Sequence, residues 1–67
     1  MHSIIDWPVV YGAILKLKKQ EQTIVTLRYF ENMSLPDIGG ILDIKESTVR
    51  VKLHRAIKEL RKHLNGI

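Results

Sequence analysis

The chain of 67 residues contains no cysteine, so disulfides and thiolate metal sites are excluded. Its three histidines, His2, His54 and His63, lack the i, i+4 pairing and carboxylate neighbours of a helical zinc site, and we expect no metal and no cofactor. No apolar run approaches the roughly 20 residues of a membrane span, and there is no secretory signal. These absences predict a soluble protein with no membrane partner, compatible with a cytoplasmic location.

Acidic residues are also few, with 7 Asp and Glu against 11 Lys and Arg, which gives a net charge of +4. The carboxylates are scattered at predicted helix caps and exposed positions, whereas an enzyme needs titratable groups that converge in a pocket. We therefore expect no catalytic residues and no small-molecule substrate. The positive charge favours a polyanion or an acidic protein surface as partner, and charge alone does not choose between them.

Glycine and proline are scarce, at 4 and 2 residues, and there is no Gly-Ser linker, repeat or low-complexity tract. One domain over residues 1–67 is therefore expected, and a domain of this size buries only about 60% of its unfolded surface. The periodicities described below predict an all-α fold, a small four-helix domain containing a helix-turn-helix motif with a long C-terminal recognition helix.

The first half of the chain predicts two helices. Asp6 can cap a helix that starts near Pro8. A second helix over 21–31 follows a polar link formed by Lys16, Lys18, Lys19 and Gln20. The second helix is apolar around most of its girth and should form the centre of the core, with Phe30 buried. Two short apolar groups complete this half. One is the helix-one stripe Val10, Ala13, Ile14 and Leu17, and the other is Ile4, Ile5 and Trp7, which should pack back on the domain or against a partner segment outside this sequence.

The second half, about residues 34–63, predicts two helices joined by a tight turn. Ser34, with Asp37 three residues later, marks a capped helix start, and this helix should end near Leu42 before the turn 43–45. We interpret the Gly39-Gly40 pair as a site of close packing between the two helices. The last helix should turn one face to the core and the opposite face outward. Its apolar stripe is Val49, Leu53, Ala56, Leu60 and Leu64, and its outward face is Ser47, Val51, His54, Arg55, Lys58 and Lys62.

A short helix, a tight turn and a longer helix with a basic face are typical of a helix-turn-helix that binds double-stranded DNA. Any helical hairpin also solvates its outer face with Lys and Arg, so periodicity alone does not separate the two readings. Charge placement favours DNA binding, because only Glu46 and Glu59 accompany seven cations. These cations are Lys45, Arg50, Lys52, Arg55, Lys58, Arg61 and Lys62.

Residues 27–62 also resemble region four of bacterial RNA polymerase sigma factors, particularly of the extracytoplasmic-function (ECF) group. The matching residues are Leu27-Arg28-Tyr29-Phe30-Glu31, Ser34, Ile38-Gly39, Thr48-Val49 and Leu53-His54-Arg55-Ala56. The resemblance implies that the domain reads the minus-35 promoter element, docks on the flap of the polymerase beta subunit, and can be held by an anti-sigma factor. It also implies a fragment of a longer sigma factor, because no minus-10-binding domain fits within 67 residues.

The chain departs from the family pattern at several positions. Asp43 stands where the turn usually has glycine, and a positive backbone angle costs Asp more than Gly. Lys45 stands where Ser commonly caps the recognition helix, Lys18 replaces a usual Pro, and Gly40 replaces a usual charged residue. Together these departures predict a domain of modest stability.

The DNA-contacting residues are predicted from their position along the recognition helix. Residues in its first turns reach deepest into the major groove, so Ser47, Thr48, Val51 and Lys52 are expected to contact base edges. The start of the preceding helix and the remaining cations should contact the backbone instead. The expected phosphate contacts are Ser34, Arg50, Arg55 and Lys58.

Two alternatives remain open at this stage. A response-regulator-type helix-turn-helix activator has a similar four-helix plan, although the Leu53–Ala56 string and the length of the last helix favour a sigma factor. A protein-interaction module held by an anti-sigma factor is the other alternative, and binding to promoter DNA would separate it from a DNA reader.

Overall fold

The computed structural model of the chain describes residues 6–65, which form four helices and contain no strand. They are α1 (Trp7–Leu15), α2 (Lys19–Val25, continued by a π-helical segment Thr26–Phe30), α3 (Leu35–Leu42) and α4 (Glu46–Asn65). The predicted all-α, four-helix architecture is confirmed. No helix within this range is both long and apolar enough to cross a membrane. The expectations for His2, Ile4 and Ile5 concern residues outside the described range.

Helix α1 begins where the sequence predicts. The Asp6 carboxylate accepts a hydrogen bond from the Val9 backbone N–H at 3.4 Å, and Pro8 lies in the first turn, where its missing N–H has no helical partner to lose. The predicted apolar stripe packs on the core through Ala13, Ile14 and Leu17, which are all buried. Leu17 lies beyond the last helical residue, so the stripe continues into the link that follows.

The corner between α1 and α2 is shorter than predicted, because α2 begins at Lys19 instead of at residue 21. Lys19 and Gln20 are good helix formers, and nothing in their side chains opposes a helical backbone. The Gln22 side-chain amide reaches back across the corner and donates to the Leu17 carbonyl at 2.9 Å and to the Leu15 carbonyl at 3.4 Å. The bond to Leu15 satisfies a carbonyl that α1 leaves free at its C-terminal end, and the bond to Leu17 satisfies one in the link that follows.

Helix α2 changes its hydrogen bonding in its last turn. Residues 26–30 are π-helical, and the Glu31 N–H donates to the Thr26 carbonyl, five residues back, at 3.2 Å. The wider turn holds one extra residue, so the side chains after it are rotated relative to an α-helical course. The prediction that Phe30 is buried in the core is therefore wrong, because its ring lies at the surface against Trp7 and Tyr11.

The two helices of the predicted helix-turn-helix meet at Gly39. Ser34 Oγ accepts a hydrogen bond from the Asp37 N–H at 3.3 Å, as the cap prediction requires. The Ile44 N–H donates to the Gly39 carbonyl at 3.0 Å, and Asp43 adopts the left-handed conformation with φ 57°. A Cβ on Gly39 would lie 2.7 Å from the Ile44 carbonyl oxygen, whereas one on Gly40 would contact nothing. Close packing is thus confirmed for Gly39 and wrong for Gly40, which points to solvent.

Helix α4 packs against α1, α2 and α3 and so forms one side of the whole core. The largest fully buried side chains come from three different helices, namely Ile24, Ile38 and Val49. Ile24 and Val25 are adjacent and both buried, which confirms that α2 is packed on more than one side. The predicted α4 stripe is confirmed in its central part, where Val49, Leu53 and Ala56 are buried and Leu60 packs at the edge.

The two neighbouring glycines of α3 give a matched test of the helix-turn-helix geometry. Gly39→Ala should lower the free energy of unfolding by about 1 to 3 kcal/mol, because the new methyl group must displace a backbone carbonyl. Gly40→Ala should raise it by about 0.5 to 1 kcal/mol, because alanine is the better helix former and the methyl group meets open space. Urea titrations followed by circular dichroism measure both, and effects of the same sign would contradict the close approach at Gly39.

Asp43 provides a second test of the turn. Asp43→Gly should be neutral or stabilising by up to about 1 kcal/mol, because glycine adopts a φ of this kind without steric cost. Asp43→Ala serves as the control, since alanine has the Cβ but lacks the carboxylate. If both variants were destabilised equally, the carboxylate and not the backbone conformation would be the important feature of this position.

Candidate nucleic-acid interface

One row of exposed side chains runs the length of α4 on the side opposite its buried stripe. At 100° per residue, every member of the row lies within about 40° of Val51 around the helix axis. Val51 itself is 47% exposed, so the row includes one apolar side chain that solvent or a ligand can reach. We call this set the outward row of α4, and it consists of Ser47, Val51, Arg55, Lys58 and Lys62.

The four predicted base-contacting residues all lie in the first two turns of α4. Ser47 and Val51 belong to the outward row and are exposed. Thr48 and Lys52 lie on one flank of the row and are partly buried, so their side chains can reach outward only along that flank. Direct contact with bases has no test in the structure, and the assignment of these four residues stays a prediction.

The predicted phosphate-contacting residues are divided among several places. Arg55 and Lys58 lie in the outward row, one and two turns beyond Val51. Arg50 lies on the flank away from Thr48 and forms an ion pair with Glu46, with 2.6 Å between Nη2 and the carboxylate oxygen. Both partners are exposed, and such a pair contributes little because water screens it, so Arg50 can exchange Glu46 for a phosphate at small cost.

Ser34 occupies the N-cap of α3. Its Oγ already accepts the hydrogen bond from Asp37, but the hydroxyl retains its own proton and can still donate to a phosphate oxygen. The first turn of α3 also carries backbone N–H groups without helical partners, which favour an anion. The nearby Asp37 carboxylate opposes an anion at the same place, so we expect Ser34 to bind a phosphate more weakly than the cations of α4.

Two surface features were missed in the sequence. The first is a groove between the α1–α2 corner and the C-terminal half of α4, in which Arg55 and Lys58 face Lys16 and Lys18. The sequence did show a lysine-rich link there, but nothing in its periodicity indicated which helix the link would face.

The second missed feature is a cluster of three aromatic rings on α1 and at the end of α2. The ring centroids of Trp7, Tyr11 and Phe30 lie 5.8 to 6.0 Å from one another, in the range of favourable aromatic pairs. The side chains remain 41%, 50% and 39% exposed, respectively. We call this group the aromatic cluster. The i, i+4 spacing of Trp7 and Tyr11 is a sequence signal for contact between these two rings. The sequence contains no signal for the π-helical turn that rotates Phe30 toward them.

The chemistry of these surfaces is that of recognition. Over residues 6–65 the structure contains no group of three His, Cys, Asp or Glu side chains that could hold a metal ion. The outward row offers cations, a hydroxyl and one apolar contact on a helix whose opposite face is fixed in the core. Such a surface can bind a polyanion and distinguish among the shapes and methyl groups presented to it.

Comparison with known proteins places this arrangement in a family. A family model described as Sigma-70, region 4 matches residues 9–60. Similar proteins include the ECF RNA polymerase sigma factor SigW of Bacillus subtilis, 41% identical over 54 residues, which are 81% of this chain and 29% of SigW. RNA polymerase sigma factor YlaC of the same organism is 43% identical over 51 residues, 76% of this chain and 30% of YlaC.

A third relative is RNA polymerase sigma factor FliA of Salmonella typhimurium, 42% identical over 70 aligned residues, which include 100% of this chain and 29% of FliA. The chain therefore spans less than a third of the length of these relatives. The predicted resemblance to sigma region four, including its ECF group, is confirmed, and the response-regulator alternative is not favoured.

Proposed function

Because the chain belongs to the sigma-70 region 4 family, we propose that it binds double-stranded promoter DNA at the minus-35 element, within a sigma factor that directs RNA polymerase to initiation. The observation that supports this function best is the exposed outward row of α4 on a helix-turn-helix. In this role the domain is not an enzyme, works in the bacterial cytoplasm, and forms one part of a longer sigma factor whose minus-10-binding domain lies outside these 67 residues.

Base reading is assigned to the first two turns of α4. A helix fits the major groove, which is about 12 Å wide, and its leading turns come nearest to the base edges. Val51 can contact a thymine methyl group, while Lys52 can donate to the acceptors of guanine. Ser47 and Thr48 hydroxyls donate or accept and so suit either kind of base edge.

Phosphate binding is assigned to the residues around this reading surface. Arg55 and Lys58 follow the bases along α4, Arg50 lies on its flank, and Ser34 lies at the start of α3. These contacts fix the position of the helix without reading sequence, and each neutralised phosphate releases counterions. A domain with one recognition helix and few phosphate contacts should bind DNA weakly by itself, and the polymerase should supply the remaining affinity.

A pair of alanine variants separates base recognition from phosphate binding. Val51→Ala should reduce the preference for a site selected from a random duplex library over scrambled DNA by about 1 kcal/mol, with no change in salt dependence. Arg55→Ala should weaken both DNAs to a similar degree and lower the slope of log K against log salt by about 0.9. Fluorescence anisotropy at several salt concentrations measures both quantities, with circular dichroism as the folding control. Loss of preference in Arg55→Ala alone would show that the reading surface is rotated toward Arg55.

The polymerase is proposed to hold the domain through the aromatic cluster, with the flap of the beta subunit as the docking partner that the family resemblance implies. Exposed aromatic rings in contact with one another are typical anchors of protein interfaces. The cluster consists of α1 and α2 residues only, so docking there leaves the outward row of α4 available to DNA. Leu15, one turn after Tyr11 on the same face of α1, extends the apolar surface.

This docking surface can be tested with a matched pair of exposed apolar side chains. Phe30→Ala should weaken binding to the isolated flap domain at least tenfold, because truncation of an aromatic anchor costs about 2 kcal/mol or more. Ile41→Ala, on α3 and 59% exposed, should have less than a threefold effect. Biolayer interferometry measures both, and DNA binding by Phe30→Ala serves as the control for folding. Equal losses in the two variants would contradict the assignment of the cluster.

An anti-sigma factor remains the second proposed protein partner. The residues that such a regulator must cover to silence the domain are the outward row of α4 or the aromatic cluster, since these would contact DNA and polymerase. Competition between the regulator and DNA would indicate the first surface, and competition with the flap would indicate the second.

A further inference from the structure

The groove beside the C-terminal half of α4 has a proposed role only for Arg55 and Lys58, and none for the wall that faces them. It has a volume of about 380 Å³. One wall is the α1–α2 corner, with Lys16, Lys18 and Glu21, and the other is α4, with Arg55, Lys58, Glu59 and Lys62. The buried side chain of Leu17 forms its floor. Side chains from the first third and the last third of the sequence thus face the same groove.

The charge of the groove is positive. Its walls carry five cations against two carboxylates, which leaves three positive charges. Glu59 is already paired with Lys62, with 3.3 Å between Nζ and the carboxylate oxygen. Of the two carboxylates in the groove, Glu21 is therefore the one that would repel an incoming anion more strongly. Cations of like charge that face each other across a groove favour a polyanion between them.

The lysines of the corner are carried on a fixed backbone. The Gln22 side-chain amide bonds to the Leu17 carbonyl at 2.9 Å, and the Lys16 and Leu17 N–H groups close the end of α1 through bonds to the Ala13 and Ile14 carbonyls at 3.1 and 3.0 Å. Leu17 is anchored in the core beneath them. A charge on such a backbone loses less freedom on binding than one on a mobile loop.

The groove is continuous with the reading surface. Arg55, Lys58 and Lys62 belong to the same outward row as Ser47 and Val51, and Lys58 lies about 10 Å along the helix from Val51 at 1.5 Å per residue. When the first turns of α4 enter a major groove about 12 Å wide, the helix crosses the bordering sugar-phosphate backbone at about this distance. That backbone would then pass between the two walls.

We propose that this groove holds the sugar-phosphate backbone that borders the major groove, with Lys16 and Lys18 as phosphate contacts from outside the helix-turn-helix. This inference rests on the proposed function, because it assumes that α4 enters DNA. An acidic protein segment has the same sign of charge, and the observations favour DNA because the α4 wall is a direct extension of the reading surface.

The first experiment counts phosphate contacts. Binding to a random-sequence duplex of about 20 base pairs is titrated over a range of salt concentrations, since each contact adds about 0.9 to the slope of log K against log salt. Lys18→Gln should lower the slope by about 0.9, and the double variant Lys16→Gln, Lys18→Gln by about 1.8. The matched control is Lys19→Gln, because Lys19 is the next residue, is exposed, and does not line the groove.

The possible outcomes separate the two proposals. Equal slopes in Lys18→Gln and Lys19→Gln would overturn the groove contact, because the two variants remove the same charge. Arg50→Gln tests the proposed function independently, since Arg50 lies outside the groove. A reduced slope in Arg50→Gln without one in Lys18→Gln refutes the groove alone, whereas a wild-type domain that does not bind duplex DNA at low salt refutes the DNA function itself.

The second experiment locates the backbone directly. The chain has no cysteine, so Lys18→Cys creates a unique thiol to which an iron chelate can be attached for cleavage of nearby DNA. On a site selected by the wild-type domain, cleavage should fall on the backbone that borders the recognised bases, and Lys19→Cys should cut it at least several-fold less. Absence of DNA cleavage from Lys18 in the polymerase complex, together with cleavage of a polymerase subunit, would identify an acidic protein segment as the occupant and overturn the proposal.

Discussion

The geometry of the helix-turn-helix depends on one close approach, that of the Gly39 backbone to the Ile44 carbonyl. A Cβ at residue 39 would lie 2.7 Å from that oxygen, so only glycine allows α3 and the turn to meet at this distance. The Gly39 carbonyl accepts the Ile44 N–H, and Asp43 takes a positive φ to bring the chain round. The direction in which α4 leaves this turn determines where the outward row lies relative to the other helices.

Helix α4 presents two opposite surfaces, one buried in the core and one exposed. Val49, Leu53 and Ala56 are held in the core by three other helices, so α4 cannot rotate about its axis without exposing apolar surface. The same constraint fixes the outward row on the opposite side. A recognition surface needs side chains that are carried on a rigid backbone. Here the hydrophobic core supplies that rigidity, and it contains no buried polar or charged side chain among the described residues.

The sequence predicted the features that depend on local rules. The Asp6 and Ser34 caps, the buried stripe of α4 and the unusual conformation of Asp43 each follow from a short pattern, and the structure agrees with all of them. Phe30 was placed wrongly because a π-helical turn changes the phase of the side chains after it, and 100° periodicity assumes a regular helix. Gly40 was misjudged because neighbouring helical positions point in different directions, so close packing at one residue says little about the next.

Local sequence patterns could not predict the groove or the aromatic cluster, and the reason is the same for both. Each combines residues from segments that local periodicity treats separately: Lys18 with Arg55, and Trp7 with Phe30. Their meeting depends on the angles between helices, which a local pattern does not give, and on the tight α1–α2 corner held by Gln22. The π-helical turn contributes in the same way, because it brings the Phe30 ring to the surface beside α1. Irregular backbone in this small domain therefore lies next to its candidate interfaces, while the regular part of α4 carries the outward row, whose proposed contact with DNA requires a constant phase along the groove.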